Sequence, residues 1–199
     1  MVLTRTDNWQ VRFHGRGGQG VVTAAELLSV AAFMEGRYSQ AFPTFGSERA
    51  GAPVTAFCRV SDRPIRTRSP ITTPDVVVVQ DPTLAHLPEV FAGLKPGGLA
   101  IVNSPRPGES LGLGRFGVDR VVTVPATELA LAHLGRPVPN AVLLGGLAAL
   151  SDMVGLEAIL SAINQRFEPG LASANGSAAA EAFRLVARSD EEALLALPD

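Results

Sequence analysis

Residues 15–20, Gly-Arg-Gly-Gly-Gln-Gly, constrain the fold more than any other segment of the chain, because they match the pattern G-x-G-x-x-G. The loop follows a short stretch in which Val11 and Phe13 lie on one face of a predicted strand. After it, residues 21–35 carry apolar side chains at three- and four-residue spacing, which predicts a helix. A glycine loop between a strand and a helix is typical of α/β proteins that bind phosphates at a helix amino terminus.

The rest of the chain continues an α/β pattern. Residues 54–60 alternate as a strand does, and a turn at 61–64 would return the chain through residues 65–68 as the second strand of a hairpin. Strands apolar on both faces, as in the centre of parallel sheets, are predicted at 75–80 and 99–103, with another strand at 121–124. Irregular connections are predicted at 38–53 and 105–117. Helices are predicted from Asp81 and Pro82 to about 95, and at 128–134, 140–154, 156–167 and 177–197.

This order of elements predicts an α/β fold. We expect a Rossmann-like, mostly parallel sheet with a β-hairpin insertion and a helical carboxyl-terminal part. One domain would span residues 1–199, with an α/β core at about 9–135 and the helical part at about 138–197. Gly145 and Gly146 would let another helix approach closely, in the core or at a subunit interface.

Composition excludes several classes of protein. A single cysteine, Cys58, excludes a disulfide framework, a cysteine-ligated zinc site and an iron–sulfur cluster held by this chain alone. The 46% hydrophobic content argues against disorder, and the 18% charged content leaves the surface short of charge. A net charge of −2 argues against nucleic acid as a partner. With neither a long apolar segment nor a signal-peptide pattern, we expect a soluble cytoplasmic protein that does not enter a membrane.

The loop lacks the features of two common nucleotide sites. A NAD site needs a carboxylate about 20 residues after the glycines, and Tyr38, Ser39 and Gln40 provide none. The lysine of a nucleotide-hydrolysing phosphate loop is also missing. Arg37 would instead suit the 2′-phosphate of NADP, which keeps a stand-alone NADP-dependent reductase as an alternative. A tight turn without any ligand is the other alternative.

Three further groups of residues admit more than one interpretation. The segment 42–53 mixes glycines, aromatics and charges, so it would fold over a ligand or a partner, or form an ordinary loop held by Phe42 and Phe45. His14 adjoins the glycine loop, where a histidine is either catalytic or, more commonly, packed and hydrogen-bonded locally. Several arginines would reach phosphates or an acidic subunit, or form a solvated edge that blocks strand pairing. They are Arg59, Arg63, Arg66 and Arg68.

Four ordered motifs resemble one family. The segments 12–26, 45–53, 62–65 and 79–83 resemble the gamma subunits of 2-oxoacid:ferredoxin oxidoreductases, the pyruvate synthase family. Asn140, followed by an apolar glycine-rich helix, resembles the carboxyl-terminal part of these subunits. Family members usually carry a second arginine or another large residue where this chain has Ala50, so the chain departs from the family pattern at that position.

The resemblance implies a subunit that is inactive alone. Alpha, beta and delta-type partner subunits would carry thiamine diphosphate, magnesium and the iron–sulfur clusters, and would pass electrons to ferredoxin or another acceptor. This chain would contribute coenzyme A binding and assembly surface, with no catalytic and no metal-ligating residue of its own. A purely structural interaction subunit is the further alternative. The implied coenzyme A-binding residues are Gly15, Arg16, Gly17, Gly18, Gln19, Gly20, Ser47, Glu48 and Arg49.

Overall fold

A computed structural model describes residues 8–44 and 51–195, with side chains described up to residue 189. Among these described residues, six strands form one sheet in the order β2-β3-β1-β4-β5-β6. The strands are β1 (Asn8–Arg16), β2 (Tyr38–Pro43), β3 (Pro53–Ser61), β4 (Val76–Val79), β5 (Leu99–Asn103) and β6 (Arg120–Val124). The helices are α1 (Val21–Met34), α2 (Pro88–Phe91), α3 (Ala126–Leu134), α4 (Asn140–Leu150), α5 (Leu156–Arg166) and α6 (Pro169–Leu195).

Most strand pairs of the sheet are parallel. β1, β4, β5 and β6 all run in one direction, so their carboxyl ends meet at one edge. β3 is antiparallel to both β1 and β2, and β2 therefore runs the same way as β1. The predicted α/β fold with a mostly parallel sheet, a hairpin and carboxyl-terminal helices is confirmed.

Each face of the sheet has its own hydrophobic core. On one face, Val76 and Val78 of β4 pack in a large core with α1 and with α3 to α6. On the other face, Val77 and Val79 pack against α2 and the single-turn 3₁₀ helices that precede and follow β5. This alternation of sides along a strand follows from the two-residue period of β structure. Within the described residues, no helix is long and apolar enough to cross a membrane.

The predicted hairpin pairs β3 with a different segment. Residues 38–43, expected to be irregular, form β2, and residues 65–68, expected to be the second strand, are irregular. Tyr38 lies opposite Ser61, and Pro43 lies opposite Ala56. Because β2 is an edge strand, Pro43 can end it without removing a hydrogen bond from the interior of the sheet. The turn residues after Ser61 thus end the hairpin instead of joining its strands.

Two helix predictions are corrected as well. Asp81 does cap a helix with Pro82 at its first position, but this is a 3₁₀ helix over Pro82–His86, and the one-turn α2 follows. Leu87 is extended between them because the residue before a proline, here Pro88, avoids the α region. The last helix begins at Pro169 and not at 177, since proline suits the first turn of a helix.

The backbones of α4 and α6 approach each other closely at Gly145. A Cβ atom at Gly145 would collide with the backbone carbonyl of Ala179 in α6. α4 also packs against α1 and α5, and it is buried along nearly its whole length. The glycine pair therefore belongs to the core of this chain.

Candidate functional site

The glycine loop lies where the connections of two neighbouring parallel strands diverge. β1 leads through the loop to α1 on one face of the sheet, whereas β4 leads to the 3₁₀ helix Pro82–His86 on the opposite face. In open α/β sheets, ligands bind in the crevice formed at such a switch point, beyond the carboxyl ends of the strands. Gly15 and Arg16 end β1, and Gly17 to Gly20 form the turn into α1.

The start of α1 has no capping side chain. Gly20 precedes the helix with φ +72° and provides no side-chain cap, and no acidic side chain occupies the first turn. The first N–H groups of a helix have no partner within it, and they carry the positive end of its dipole. The amide of Asn140 lies directly against Gly20, leaving no room for a Cβ atom there. This arrangement suits an anion such as a phosphate group.

Gln19 and Asp81 fix the shape of the loop. The Gln19 Oε1 atom accepts a hydrogen bond from the backbone N–H of Arg16 at 2.8 Å, and its Nε2 donates to Asp81 Oδ2 at 2.8 Å. Burial of Asp81 opposes its ionisation, but hydrogen bonds from Thr83 and Gln19 and the charge of Arg16 outweigh it and lower the pKa of Asp81. An ionised carboxylate thus holds the loop against the end of β4.

Arg16 joins three segments of the chain. Its Nε lies 3.3 Å from Asp81 Oδ2, its Nη2 donates to Thr83 Oγ1 at 2.9 Å, and its Nη1 donates to the Gly51 carbonyl at 3.1 Å. About a third of the side chain, 35%, remains accessible. Arg16 therefore serves as a clamp as well as a cation at the crevice, a double role that the sequence did not indicate.

The second predicted group, Ser47, Glu48 and Arg49, lies outside the described residues, together with Ala50. The residues that follow them return to the glycine loop. The Gly17 N–H donates to the Ala52 carbonyl at 3.0 Å, and the Gly51 N–H donates to the Gly17 carbonyl at 3.4 Å. The connection between β2 and β3 therefore ends against the glycine loop.

A cavity of about 210 Å³ continues the site beyond the glycines. Gly18, Gly20 and Thr23 line one side, and the start of α4 and of α6 lines the other. Arg136, exposed in the connection before α4, adds a second cation to this cavity. Sequence reasoning missed Arg136, because nothing in the sequence indicates that the segment before α4 folds back onto the glycine loop.

Arg37 does not fit the role of a 2′-phosphate ligand. It is 8% exposed, and its Nε donates to Asp62 Oδ1 at 2.8 Å while its Nη1 donates to the Met153 carbonyl at 3.2 Å. It also precedes β2, which runs parallel to β1. It therefore lies at the amino-terminal end of these strands, whereas the glycine loop lies at their carboxyl-terminal end. The proposed contact of Arg37 with NADP is therefore wrong.

His14 is packed and hydrogen-bonded, as the more ordinary interpretation predicted. Arg12 Nε donates to His14 Nε2 at 3.0 Å, and the ring's Nδ1 lies 3.4 Å from Thr55 Oγ1. Burial, together with the charge of Arg12, lowers the pKa of His14 to about 3. The ring is neutral at physiological pH with both nitrogens engaged, so it is unsuited to take up a proton during a reaction.

This environment predicts a pH dependence of stability. Below about pH 6.5 the unfolded chain protonates His14 whereas the native chain does not, so stability is lost as the pH falls from about 6.5 toward 3. In a His14→Gln chain, the slope of the free energy of unfolding against pH should be smaller by up to about 1.4 kcal/mol per pH unit. Urea unfolding between pH 7 and pH 4 measures it, with the exposed His86→Gln as control. Parallel slopes for the wild type and His14→Gln would contradict the assignment.

Cys58 is buried in the core, and His133 is paired with a carboxylate. Burial raises the pKa of the Cys58 thiol, which makes it unreactive. His133 pairs with Glu181 at 2.6 Å, and among residues 8–44 and 51–189 no three histidine, cysteine or acidic side chains are grouped to hold a metal ion.

Comparison with known proteins identifies the family of this chain. Residues 10–185 match the family described as pyruvate ferredoxin/flavodoxin oxidoreductase. The chain belongs to this family. Over 175 residues, 87% of its length, it is 50% identical to the common subunit gamma of the pyruvate/ketoisovalerate oxidoreductases from Thermococcus kodakarensis, of which it covers 95%.

Solved structures agree with this membership of the pyruvate ferredoxin/flavodoxin oxidoreductase family. The pyruvate oxidoreductase subunit PORC from Thermotoga maritima superposes with a TM-score of 0.79 at 35% identity, over 90% of this chain and 97% of that one. A 2-oxoglutarate:ferredoxin oxidoreductase from Magnetococcus marinus shares the fold, with a TM-score of 0.73 at 18% identity, over 93% of this chain and 32% of that one. The chain is thus a gamma-type subunit of a 2-oxoacid oxidoreductase complex, which confirms the resemblance of its motifs.

Proposed function

We propose that this gamma-type subunit contributes coenzyme A binding and assembly surface to a complex that converts a 2-oxoacid to acyl-CoA and CO₂. The observation that carries the proposal is the start of α1, which has no capping side chain and no acid in its first turn and follows a glycine loop held in shape by Asp81. Phosphates of coenzyme A would bind the loop and the first N–H groups of α1, with Arg16 and Arg136 on either side. Ser47, Glu48 and Arg49, which the family resemblance also implies, would add further coenzyme A contacts.

Two features of the site match this ligand in particular. The loop has no carboxylate for a ribose 2′-hydroxyl, which a coenzyme A site does not need, and the Arg37 contact of an NADP site is excluded. The related complex from Magnetococcus marinus was solved with coenzyme A and succinyl-CoA bound. Thiamine diphosphate, magnesium and the iron–sulfur clusters would reside in alpha, beta and delta-type subunits, with ferredoxin or another acceptor receiving the electrons.

Neutralising Arg16 tests the coenzyme A role. In the purified complex, Arg16→Gln should raise the KM for coenzyme A several-fold. A fully available charged hydrogen bond would be worth about 1.5–3 kcal/mol, roughly tenfold or more, but Asp81 already engages part of this charge. Steady-state kinetics at saturating 2-oxoacid measure the effect.

Arg184→Gln is the matched control, because Arg184 is an exposed arginine on α6. If Arg16→Gln and Arg184→Gln both leave the KM unchanged while the complex assembles normally, the subunit has a structural role only. Saturable tight binding of NADPH to the full chain would instead favour the reductase alternative.

A further inference from the structure

A second concavity lies near the start of β2, at the opposite end of the strands from the glycine loop. It measures about 740 Å³ and is enclosed by the end of α1, the start of β2 and the irregular segment 64–68. We call it the β2 groove. Its lining includes Phe33, Tyr38, Ser39, Pro64, Ile65 and Arg68.

One wall of the β2 groove is a strand edge that pairs with no other strand of the described residues. β2 is the outermost strand of the sheet. Thr44, which follows it, donates its N–H to the Thr55 carbonyl at 2.9 Å, so Thr44 and Thr55 form a hydrogen-bonded pair of the antiparallel ladder. Hydrogen-bonded and non-hydrogen-bonded pairs alternate along an antiparallel ladder. Ser39 and Ala41 therefore belong to non-hydrogen-bonded pairs, and their N–H and C=O groups point away from β3. An exposed row of such groups can accept another strand.

The same region exposes large apolar side chains. Phe33 is 74% accessible, Tyr38 50% and Met34 43%, so half of the large exposed hydrophobic residues of the described chain fall within six positions. Aromatic side chains and methionine are enriched at protein interfaces, where they supply much of the binding energy. An edge strand beside exposed aromatic rings favours a polypeptide partner.

The charge next to the β2 groove is positive. Arg63, Arg66 and Arg68 are exposed on the segment that follows β3, and none of them forms an ion pair with a described residue. They lie far from the glycine loop, because Ser61 at the end of β3 pairs with Asn8 at the start of β1. Of the sequence-based alternatives for these arginines, contact with an acidic subunit is therefore favoured over contact with the phosphates at the loop.

We propose that the β2 groove binds an extended acidic segment of a partner subunit, which adds a strand to β2 and places its carboxylates against Arg63, Arg66 and Arg68. The proposal rests on the assembly part of the proposed function. A second copy of this chain is a poorer occupant, because it would bring the same arginines together. A small anion would use the arginines but leave the strand edge and the aromatic rings unpaired.

Hydrogen exchange of the wild-type chain tests the proposal without any substitution. Exchange at the Ser39 and Ala41 amides should slow at least tenfold when the full chain is incorporated into the complex with its partner subunits. Unchanged exchange at both amides in the assembled complex would overturn the proposal. If the wild-type chain does not assemble with the other subunits at all, the assembly role itself fails, which is a distinguishable result.

Charge reversal provides the second test. An Arg66→Glu/Arg68→Glu chain, co-expressed with the partner subunits, should show at least a tenfold smaller assembled fraction by native mass spectrometry. Arg184→Glu/Arg188→Glu, which reverses two exposed arginines on α6, should assemble normally. Phe33→Ser tests the contribution of the exposed apolar side chains and should also reduce assembly. Because the Phe33 side chain is already mostly in solvent, its loss should not disturb the fold. Normal assembly of all these variants, or a stable dimer of the isolated wild-type chain through β2, would contradict the proposal.

Discussion

A Gly145→Ala chain is expected to lose about 3 kcal/mol of folding stability, although it gains a better helix former. The new Cβ would collide with the Ala179 carbonyl, and a backbone atom of α6 cannot rotate away as a side chain can. α6 must shift away from α4, which disturbs the packing along both helices, and overpacking of this kind costs about 1–3 kcal/mol or more. Urea unfolding of the full chain, followed by circular dichroism, measures the loss.

Gly176→Ala on α6 is the matched control. Its Cβ would make only an ordinary contact of 3.4 Å with the end of Leu160. Here the substitution should stabilise the chain by about 0.5–1 kcal/mol, because glycine inside a helix costs that much relative to alanine. If the two substitutions changed stability in the same direction, the close approach of α4 and α6 at Gly145 would be wrong.

A Gly20→Ala subunit is expected to raise the KM for coenzyme A of the complex tenfold or more. The left-handed φ of +72° strains an alanine, and its Cβ would push the Asn140 amide away from the start of α1. The N–H groups at this helix start, which we propose bind the phosphates, would then be misaligned. Because this substitution moves the whole loop, its effect should exceed that of Arg16→Gln.

Gly97→Ala separates ligand binding from backbone strain. Gly97 has a φ of +73° in the turn before β5, and nothing lies within 4 Å of its missing Cβ. Both variants should lose about 1–2 kcal/mol of stability through strain, but only Gly20→Ala should change the KM. A KM for coenzyme A that stays at the wild-type value in an assembled Gly20→Ala complex would place the coenzyme outside the glycine loop.

Elements whose signal is local in the chain can be predicted from the sequence. The run Val76–Val79 is apolar on both faces, as expected of a central parallel strand, which is buried on both faces. The glycine loop likewise combines a strand end, a helix start and two left-handed glycines within six residues. These patterns do not depend on distant partners, so the sequence predicts them directly.

Elements whose conformation depends on a distant segment cannot be predicted in this way. Tyr38–Pro43 carries glycine-, proline- and serine-rich flanks that indicate a loop, and it becomes a strand because β3 offers it a hydrogen-bonding edge. Arg37 carries a charge that suits a phosphate, but the direction of β2 places it beside Asp62, at the opposite end of the strands from the glycine loop. Neither the strand order nor the direction of β2 can be deduced from periodicity alone.

The sequence by itself determined the α/β class, the glycine loop and the oxidoreductase family, because each depends on residues close together in the chain or on several motifs in a fixed order. Only the tertiary structure showed that Asp81 and Gln19 hold the loop, that Arg136 approaches it, and that the exposed arginines lie at the far edge of the sheet. Those contacts join segments that are far apart in the chain. Their geometry follows from strand order and helix packing, which the whole fold decides at once.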